Sequence, residues 1–413
     1  MAVVGEGMRH TSGVSGRVFS TLGNRNINVI AIAQGSSERN ISFIVDDEDV
    51  DQTLKSLSTE IINTENHIAD IYLLGVGTVG SELLDIIGKE SSQEITIRTV
   101  GSSKKMIVGN DAVNPITAMD DLNKLGVPFE LNEFLNTDGE KSIKQKIFID
   151  CTASETIAKE YVNILDLGFS VVTANKIANT LDQDYYYLIR DKAKNNNVQF
   201  RYETNVGAGL PIINTLQGLI ATGDKILSIK GVLSGTLSYL FNAFDGQKPF
   251  SSIVKDARAK GFTEPDPRED LSGMDVARKI LILARETGSK LELKDISVEG
   301  LIPAELDPEL SVDKFLDRLA KYDENFQKRL EKATAVQKVL RYIGSWDGKK
   351  AKVGLEMVSN DNPFYSQNGR ENFIVFKSKR YNDNPLVIKG HGAGAPVTAA
   401  GVLHDIQQCL DNR

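Results

Sequence analysis

The stretch IADIYLLGVGTVGSELLDIIG (68–88) reads as an apolar strand, a glycine-rich turn and an amphipathic helix. Gly75, Gly77 and Gly80 stand there in G-x-G-x-x-G order, with Thr78 and Val79 at the helix start. Such glycines let the main chain approach a pyrophosphate, which then rests on the N–H groups of the helix N-terminus. A strand that feeds a helix through this turn calls for a parallel sheet covered by helices. The fold class is therefore α/β, with a Rossmann-type doubly wound nucleotide domain. The next strand, EITIRTVGSSKKM, ends in Ser102, Ser103, Lys104 and Lys105, where a carboxylate would otherwise hold a ribose 2′-hydroxyl. Hydroxyl and ammonium groups at that place favour a 2′-phosphate, so NADP(H) is the preferred cofactor and NAD(H) a usable one.

Two further strands follow. KIFIDCTAS ends near Thr152, and SVVTANKIAN ends at Asn175 and Lys176. Ligands of open parallel sheets bind at the carboxyl ends of the strands, which puts Thr152 and Lys176 on the nicotinamide side. Cys151 offers a thiol there, as in semialdehyde dehydrogenases that form a thioester. No nearby histidine or helix start would lower its pKa, so a buried, inert cysteine is expected.

The central chain has no histidine: the four are His10, His67, His391 and His404. A proton-transfer group must come from elsewhere, and FTEPDPREDLSGMDVARKILILARE (262–286) supplies a candidate. Its first half, with Glu264, Asp266, Glu269 and Asp270 around two prolines, cannot be helix interior. Ser272 then reads as an N-cap with Asp275 three residues on, opening a helix that stops at Gly288. Val276, Ile280, Leu283 and Ala284 form its apolar stripe, and Asp275 and Lys279 share one face. A solvated acid–base pair is the default for such spacing. A lysine delivered among carboxylates on a partly buried face is instead a general acid–base candidate.

QFRYETNVGAGLPIINTLQGLI (199–220) and IKGVLSGTLSYLFNAF (229–244) are each a strand, a glycine loop and a helix. They either present main-chain groups to a ligand or ion, or are simple tight turns. VLRYIGSW, KAKVGLEMV, NFIVFKSKRY and LVIKG read as the sheet of a second domain. GHGAGAPVTAAGVLHDIQQCL feeds a helix expected to pack back on the nucleotide domain and bring Gly394 near the cofactor.

Composition narrows the partners. The 413 residues carry a net charge of −8 with no long basic run, which argues against nucleic acid and anionic membranes. Cys151 and Cys409 are the only cysteines, too few for a disulfide framework or a zinc cluster. No signal peptide or membrane-length apolar run is seen, and a reducing cytoplasm fits best.

At the front, AVVGEGM, GVSGRVFSTLGNRN, NINVIAIAQ, ISFIVDD and DVDQTLKSLSTEI follow a β-α-β-β-α order. This segment resembles the ACT-type regulatory domain of aspartate kinases, which implies effector binding and pairing of ACT units. The rest of the chain resembles the homoserine dehydrogenase family. The resemblance rests on GVGTVG, TANK, ETNVGAGLPII, LSGTLSYLFN, GFTEPDPREDLSGMDVARK and GAGAPVTAAGV in that order, over about 67–413. Together they resemble the C-terminal part of a bifunctional aspartate kinase–homoserine dehydrogenase without the kinase and half of the regulatory region, so threonine feedback is not implied.

The resemblance assigns roles. Lys279 becomes the proton-transfer residue and Lys176 the lysine at nicotinamide and substrate. Glu264, with Asp270 and the catalytic-site Asp275, would hold the substrate, and Thr236 would lie beside it. A monovalent cation (Na⁺ or K⁺) would bind the Glu203 segment and the carbonyls of Val206, Ala208 and Leu210. The implied reaction interconverts L-homoserine and L-aspartate 4-semialdehyde in a homodimer or larger homo-oligomer. The rivals are semialdehyde oxidation through Cys151 and a non-catalytic amino-acid sensor. The expected domains are an ACT-like remnant (1–66), a Rossmann domain (67–205) completed by the helix of 390–413, and a catalytic and dimerisation domain (206–389).

The cofactor assignment is testable directly. The Michaelis constant should be lower for NADP(H) than for NAD(H), and Ser103→Asp should reverse the order, because the new carboxylate repels a 2′-phosphate. Better binding of NAD(H) by the unsubstituted protein would refute this reading of the second strand.

Overall fold

The computed structural model describes residues 1–5, 8, 13–35, 39–57, 69–90, 95–108, 112–135, 145–303, 305–306 and 309–411. The chain divides into two compact units, Met1–Asp70 with Ser92–Thr96, and Ile71–Ser91 with Ile97–Arg413. The domain boundary expected at 66/67 lies outside the described residues.

The first unit has a three-stranded antiparallel sheet in the order Ala2–Val4, Asn40–Ile44, Ala31–Gln34. The helices Val14–Asn24 and Val50–Leu57 belong to it. Val18, Leu22, Ile41 and Phe43 form its core, with Phe19 edge-on to Phe43 at 6.2 Å. The strand expected over NINVIAIAQ is shorter, Ala31–Gln34. Its first residues close the preceding helix instead: Asn26 adopts φ 57°, and the Ile27 N–H donates to the Leu22 carbonyl at 3.0 Å. Ile30, Ile32 and Ile44 remain exposed.

The second unit holds two sheets. The first orders its strands Phe200–Arg201, Phe169–Thr173, Gln145–Asp150, Ala69–Leu74, Ile95–Gly101, Lys105–Val108, Val127–Pro128. Strand order reverses at Ala69–Leu74: the chain first builds outward through Ile95–Gly101 and returns to the other side through Gln145–Asp150. That reversal opens a crevice at the strand ends, where such sheets bind ligands. All six residues of Ala69–Leu74 are buried, as a strand covered on both faces must be.

The second sheet has the order Ser297–Val298, Ala351–Val358, Val339–Trp346, Ile226–Val232, Glu371–Ser378, Leu386–His391. Its pairings are antiparallel except that of Ser297–Val298 with Ala351–Val358. The helices Gly235–Ala243 and Met274–Glu286 pack against it. The helix Ala395–Asp411 returns to the first sheet and packs on Thr78–Glu90, as its apolar spacing implies. Among the described residues no helix is long and apolar enough to cross a membrane.

Two adjoining residues fasten the end of Met274–Glu286. The fully buried Arg285 guanidinium donates to the carbonyls of Asn179 at 3.0 Å and Leu181 at 2.7 Å, and pairs with Glu292 at 2.8 Å. The Glu286 carboxylate accepts from the Tyr186 and Tyr202 hydroxyls at 2.9 and 2.7 Å and from the Gln217 amide at 2.8 Å. Arg285→Ala would leave these carbonyls without a donor and the partly exposed Glu292 without its cation, for an expected loss of about 2–4 kcal/mol. A shift of the urea midpoint to lower concentration checks this; an unchanged midpoint contradicts it.

Candidate functional site

The nucleotide turn begins where the buried strand ends. Gly75 adopts φ 96°, and a Cβ there would lie 2.7 Å from the Cys151 carbonyl carbon. A Cβ on Gly80 would stand 2.0 Å from the Gly75 carbonyl oxygen, so the helix Thr78–Glu90 can approach the turn only through glycine. A Cβ on Gly77 would meet nothing within 4 Å. The turn is thus closed toward the protein and open on the side where a pyrophosphate would lie, a fit for a dinucleotide.

Ser102, Ser103, Lys104 and Lys105 form the hairpin between Ile95–Gly101 and Lys105–Val108. The Ser102 hydroxyl accepts from the Lys105 N–H at 3.0 Å, and the Lys105 ammonium donates to the Asn123 carbonyl at 2.7 Å. Those two side chains hold the turn. Ser103 and Lys104 are exposed at its tip.

The adjacent strand ends are tied by one buried carboxylate. Asp150 accepts from the Thr152 N–H at 2.7 Å, the Tyr161 hydroxyl at 2.6 Å and the Asn175 amide at 3.1 Å. This fixes Thr152 and Lys176 at the rim of a cleft of about 810 Å³. Lys176, Thr236, Glu264, Asp270, Asp275 and Lys279 all line that cleft. Val79, Thr152, Ala208 and Gly394 line it too, whereas Gly75, Gly77, Thr78 and Gly80 are not part of its lining. Two arginines that the sequence reading did not single out, Arg278 and Arg370, also face it. Arg278 follows Asp275 by three residues on the same helix and shares its polar face, whereas Arg370 stands before a strand far along the chain, where its position gives no sign of the cleft.

At the centre, the Asp275 carboxylate lies 2.7 Å from the Lys279 ammonium and 3.6 Å from that of Lys176. Lys279 also donates to the Leu233 carbonyl at 2.8 Å. Burial lowers the Lys279 pKa below its ordinary value, and the Asp275 charge opposes the shift without cancelling it. Burial would raise the Asp275 carboxyl, but Lys279 and Lys176 outweigh it and hold the group far below the usual carboxylate range. The result is a lysine that releases its proton more readily than a solvated one, next to a permanent anion.

The acidic loop is held from within. The Asp270 carboxylate accepts from the Glu264 N–H at 2.8 Å, and burial pushes its pKa up. The Thr236 hydroxyl donates to the Phe262 carbonyl at 2.7 Å. Asp266 is drawn away: it caps the short helix Pro267–Leu271 and pairs with Arg268 at 2.6 Å. The expected non-helical stretch therefore contains one helical turn, because Pro267 occupies its first position, where no N–H is needed. The expected N-cap moves as well. Gly273, at φ 74°, precedes Met274–Glu286, while the Ser272 hydroxyl donates to the Glu269 carbonyl at 2.7 Å and still accepts from the Met274 N–H at the helix start at 3.2 Å. A side chain at Gly273 would collide with the Tyr342 hydroxyl.

Glu203 has a role that its spacing does not reveal. Its carboxylate accepts from the N–H groups of Ile212, Ile213 and Asn214 at 2.6, 2.7 and 2.7 Å, an anion on the N-terminus of the helix Ile213–Ala221. The Glu203 N–H in turn donates to Asp405 at 2.8 Å. Its carboxylate is thereby engaged, and the Leu210 carbonyl accepts from the Ile212 N–H at 2.8 Å. Among the described residues no group of three His, Cys, Asp or Glu could hold a metal ion, so any cation would depend on main-chain carbonyls. Burial and the neighbouring Asp150 push the Cys151 thiol far up, the reverse of what a nucleophile requires.

Comparison with known proteins agrees with this geometry. Residues 211–407 match the homoserine dehydrogenase family, residues 75–203 its NAD-binding domain, and residues 1–61 an ACT domain. A bifunctional aspartokinase/homoserine dehydrogenase of Haemophilus influenzae is 40% identical over 418 residues, covering 100% of this chain and 51% of that protein. The chloroplastic bifunctional aspartokinase/homoserine dehydrogenase 1 of Arabidopsis thaliana is 42% identical over 98% of this chain and 46% of its own length. The chain thus spans about half the length of these relatives. Among solved structures, a Candida auris protein of unknown function superposes with a TM-score of 0.78 at 35% identity, covering 83% of this chain and 99% of that one. A hyperthermophilic archaeal homoserine dehydrogenase in complex with NADPH, at TM-score 0.62 and 22% identity, shares the fold over 83% of this chain and 98% of its own.

Gly80→Ala forces the helix off the turn, since its Cβ has no room before the Gly75 carbonyl. Affinity for the reduced dinucleotide should fall at least about 10-fold, read by fluorescence titration. Unchanged affinity would show that the turn does not carry the pyrophosphate.

Proposed function

We propose, since the chain belongs to the homoserine dehydrogenase family of NAD(P)-dependent oxidoreductases, that it interconverts L-homoserine and L-aspartate 4-semialdehyde, with NADP(H) preferred. The observation that carries this reading is the Lys279–Asp275–Lys176 cluster, which lines the same cleft as the acidic loop.

The nucleotide turn and Thr152 would hold the dinucleotide, which when bound accepts hydride at the nicotinamide C4. Glu264 and Asp270 would bind the substrate ammonium, with Thr236 beside it. Lys176 would orient the reacting oxygen. Neutral Lys279 takes the hydroxyl proton as the carbon is oxidised, and its charged form returns a proton to oxygen in the reverse direction. Asp275 sets the positions of both lysines and tunes the proton affinity of Lys279. Serine and lysine at 103 and 104 support the 2′-phosphate preference.

The surrounding assignments belong to the same proposal. A monovalent cation would bind the carbonyls of Val206, Ala208 and Leu210 and the main chain of Glu203, bracing the loop between the cleft and the helix Ile213–Ala221. The domains would run 1–66, 67–205 with 390–413, and 206–389. The ACT domain would pair with another copy, with Ile30 and Ile32 exposed along its edge strand, and serve regulation, with threonine as an effector to test. The active form would be a homo-oligomer in the cytoplasm, and the sequence would be the dehydrogenase half of a bifunctional enzyme.

Spectrophotometric reduction of NADP⁺ with homoserine is the deciding assay, and Lys279→Ala should lower kcat about 100-fold or more. Tight amino-acid binding without turnover would favour the sensor reading instead. The pH profile adds a second check. Oxidation needs neutral Lys279, whose pKa lies below the ordinary 10.5, so the rate should rise with pH and level off below that value. Asp275 raises the Lys279 pKa. Asp275→Asn should therefore move the rising limb to lower pH. A limb that stays in place or moves up would dissociate the two groups.

A further inference from the structure

We propose that Arg370 anchors the α-carboxylate of the amino-acid substrate and so selects amino acids over simple amino alcohols. The proposal rests on the alcohol-oxidation reading above and adds a specificity residue to the same cleft.

Arg370 lies just before the strand Glu371–Ser378, on a loop fixed to the helix Gly235–Ala243. The Asn242 amide donates to the Gly369 carbonyl and to the Gln367 side chain, each at 3.1 Å. The Arg370 carbonyl oxygen would stand 3.3 Å from a Cβ placed on Gly235, so the loop sits directly over the Gly235–Thr236 turn. The guanidinium is stacked on the Phe262 ring at 4.3 Å, and Phe262 itself packs edge-on to Tyr239 at 5.0 Å. The carbonyl of that same Phe262 receives the Thr236 hydroxyl, and Glu264 follows two residues later. Arg370 is therefore placed beside the acidic wall by an aromatic face. No carboxylate among the described residues pairs with it.

Charge balance in the cleft gives this arrangement its meaning. Glu264, Glu269, Asp270 and Asp275 all line it. They suit an ammonium group but repel the carboxylate carried on the same carbon of an α-amino acid. Lys279 and Lys176 are already shared with Asp275. Arg278 and Arg370 are the remaining cations of the lining. Arg278 projects from the helix Met274–Glu286 with no ring to hold it among the described residues, whereas Arg370 is preoriented by its stack. A planar guanidinium fixed in this way offers paired N–H donors to a carboxylate with little ordering on binding.

The test compares Arg370→Met, Arg370→Lys and Arg278→Met on two alcohols, homoserine and 3-aminopropan-1-ol, which lacks the carboxylate. The second compound is used as a substrate, or as a competitive inhibitor where its turnover is too slow. Arg370→Met should raise the KM for homoserine roughly 10- to 100-fold, the range for losing a charged hydrogen bond. The KM for NADP⁺, the melting temperature and the constant for 3-aminopropan-1-ol should stay within about 2-fold or a degree or two of the unsubstituted protein. Arg370→Lys should recover part of the loss, as a point charge without the planar fork. Equal losses on both alcohols would overturn the proposal, as would the same discrimination appearing in Arg278→Met and not in Arg370→Met. An unsubstituted protein that does not oxidise homoserine at all would sink the function reading itself. That result is separate from any pattern among the variants.

Discussion

Two ammonium groups cannot share a half-enclosed cleft unless an anion stands between them. Asp275 is that anion: it meets Lys279 at 2.7 Å and Lys176 at 3.6 Å, from a helix on one side and a strand end on the other. Without it, burial and the neighbouring Lys176 charge would drive Lys279 further toward neutrality. With it, the helix Met274–Glu286 and the strand end at Lys176 are drawn together at the point where chemistry is needed. The carboxylate is at once a structural tie and the control on proton affinity. Remote contacts matter to the extent that they keep this triad in register.

Most of the surrounding framework can be read in those terms. The N-terminal end of the helix Met274–Glu286 carries Asp275 and Lys279, and its far end is gripped by Arg285 and Glu286. The first grips the loop that follows the Lys176 strand, so the two lysines are referred to a common support. Asp150 performs the matching task beneath Thr152 and Asn175. Neither Asp150 nor Arg285 touches the cleft, yet together they determine where its walls stand. Such supporting shells decide whether reactive groups hold to the fraction of an ångström that catalysis requires.

What was legible in the sequence follows from the range of the interactions. The G-x-G-x-x-G turn, the four long strands of the second sheet and the Asp275–Lys279 face are local patterns, and each appears where its periodicity puts it. The departures are local too: Ser272 still accepts from the Met274 N–H, but the close approach of Tyr342 demands glycine at position 273, which takes the N-cap position. Ser102 and Lys105 also hold the hairpin, a structural task that their place after the strand does not announce. Glu203, Asp405, Arg285 and Arg370 were opaque as structural elements, since their partners lie far along the chain or are main-chain groups. A single sequence carries no signal for a carboxylate that will accept three N–H groups from a helix nine residues later.

The bond between the Glu203 N–H and Asp405 joins residues 202 positions apart. The helix that bears Asp405 covers the nucleotide sheet, yet the whole second sheet is encoded in between. During synthesis the ribosome must therefore release the entire second sheet before the first sheet can acquire its last cover. The nucleotide fold waits, with an apolar surface bare, on a segment translated many seconds later. The contact of longest range, between Glu203 and Asp405, thus forms only after the strands of both sheets have been synthesised.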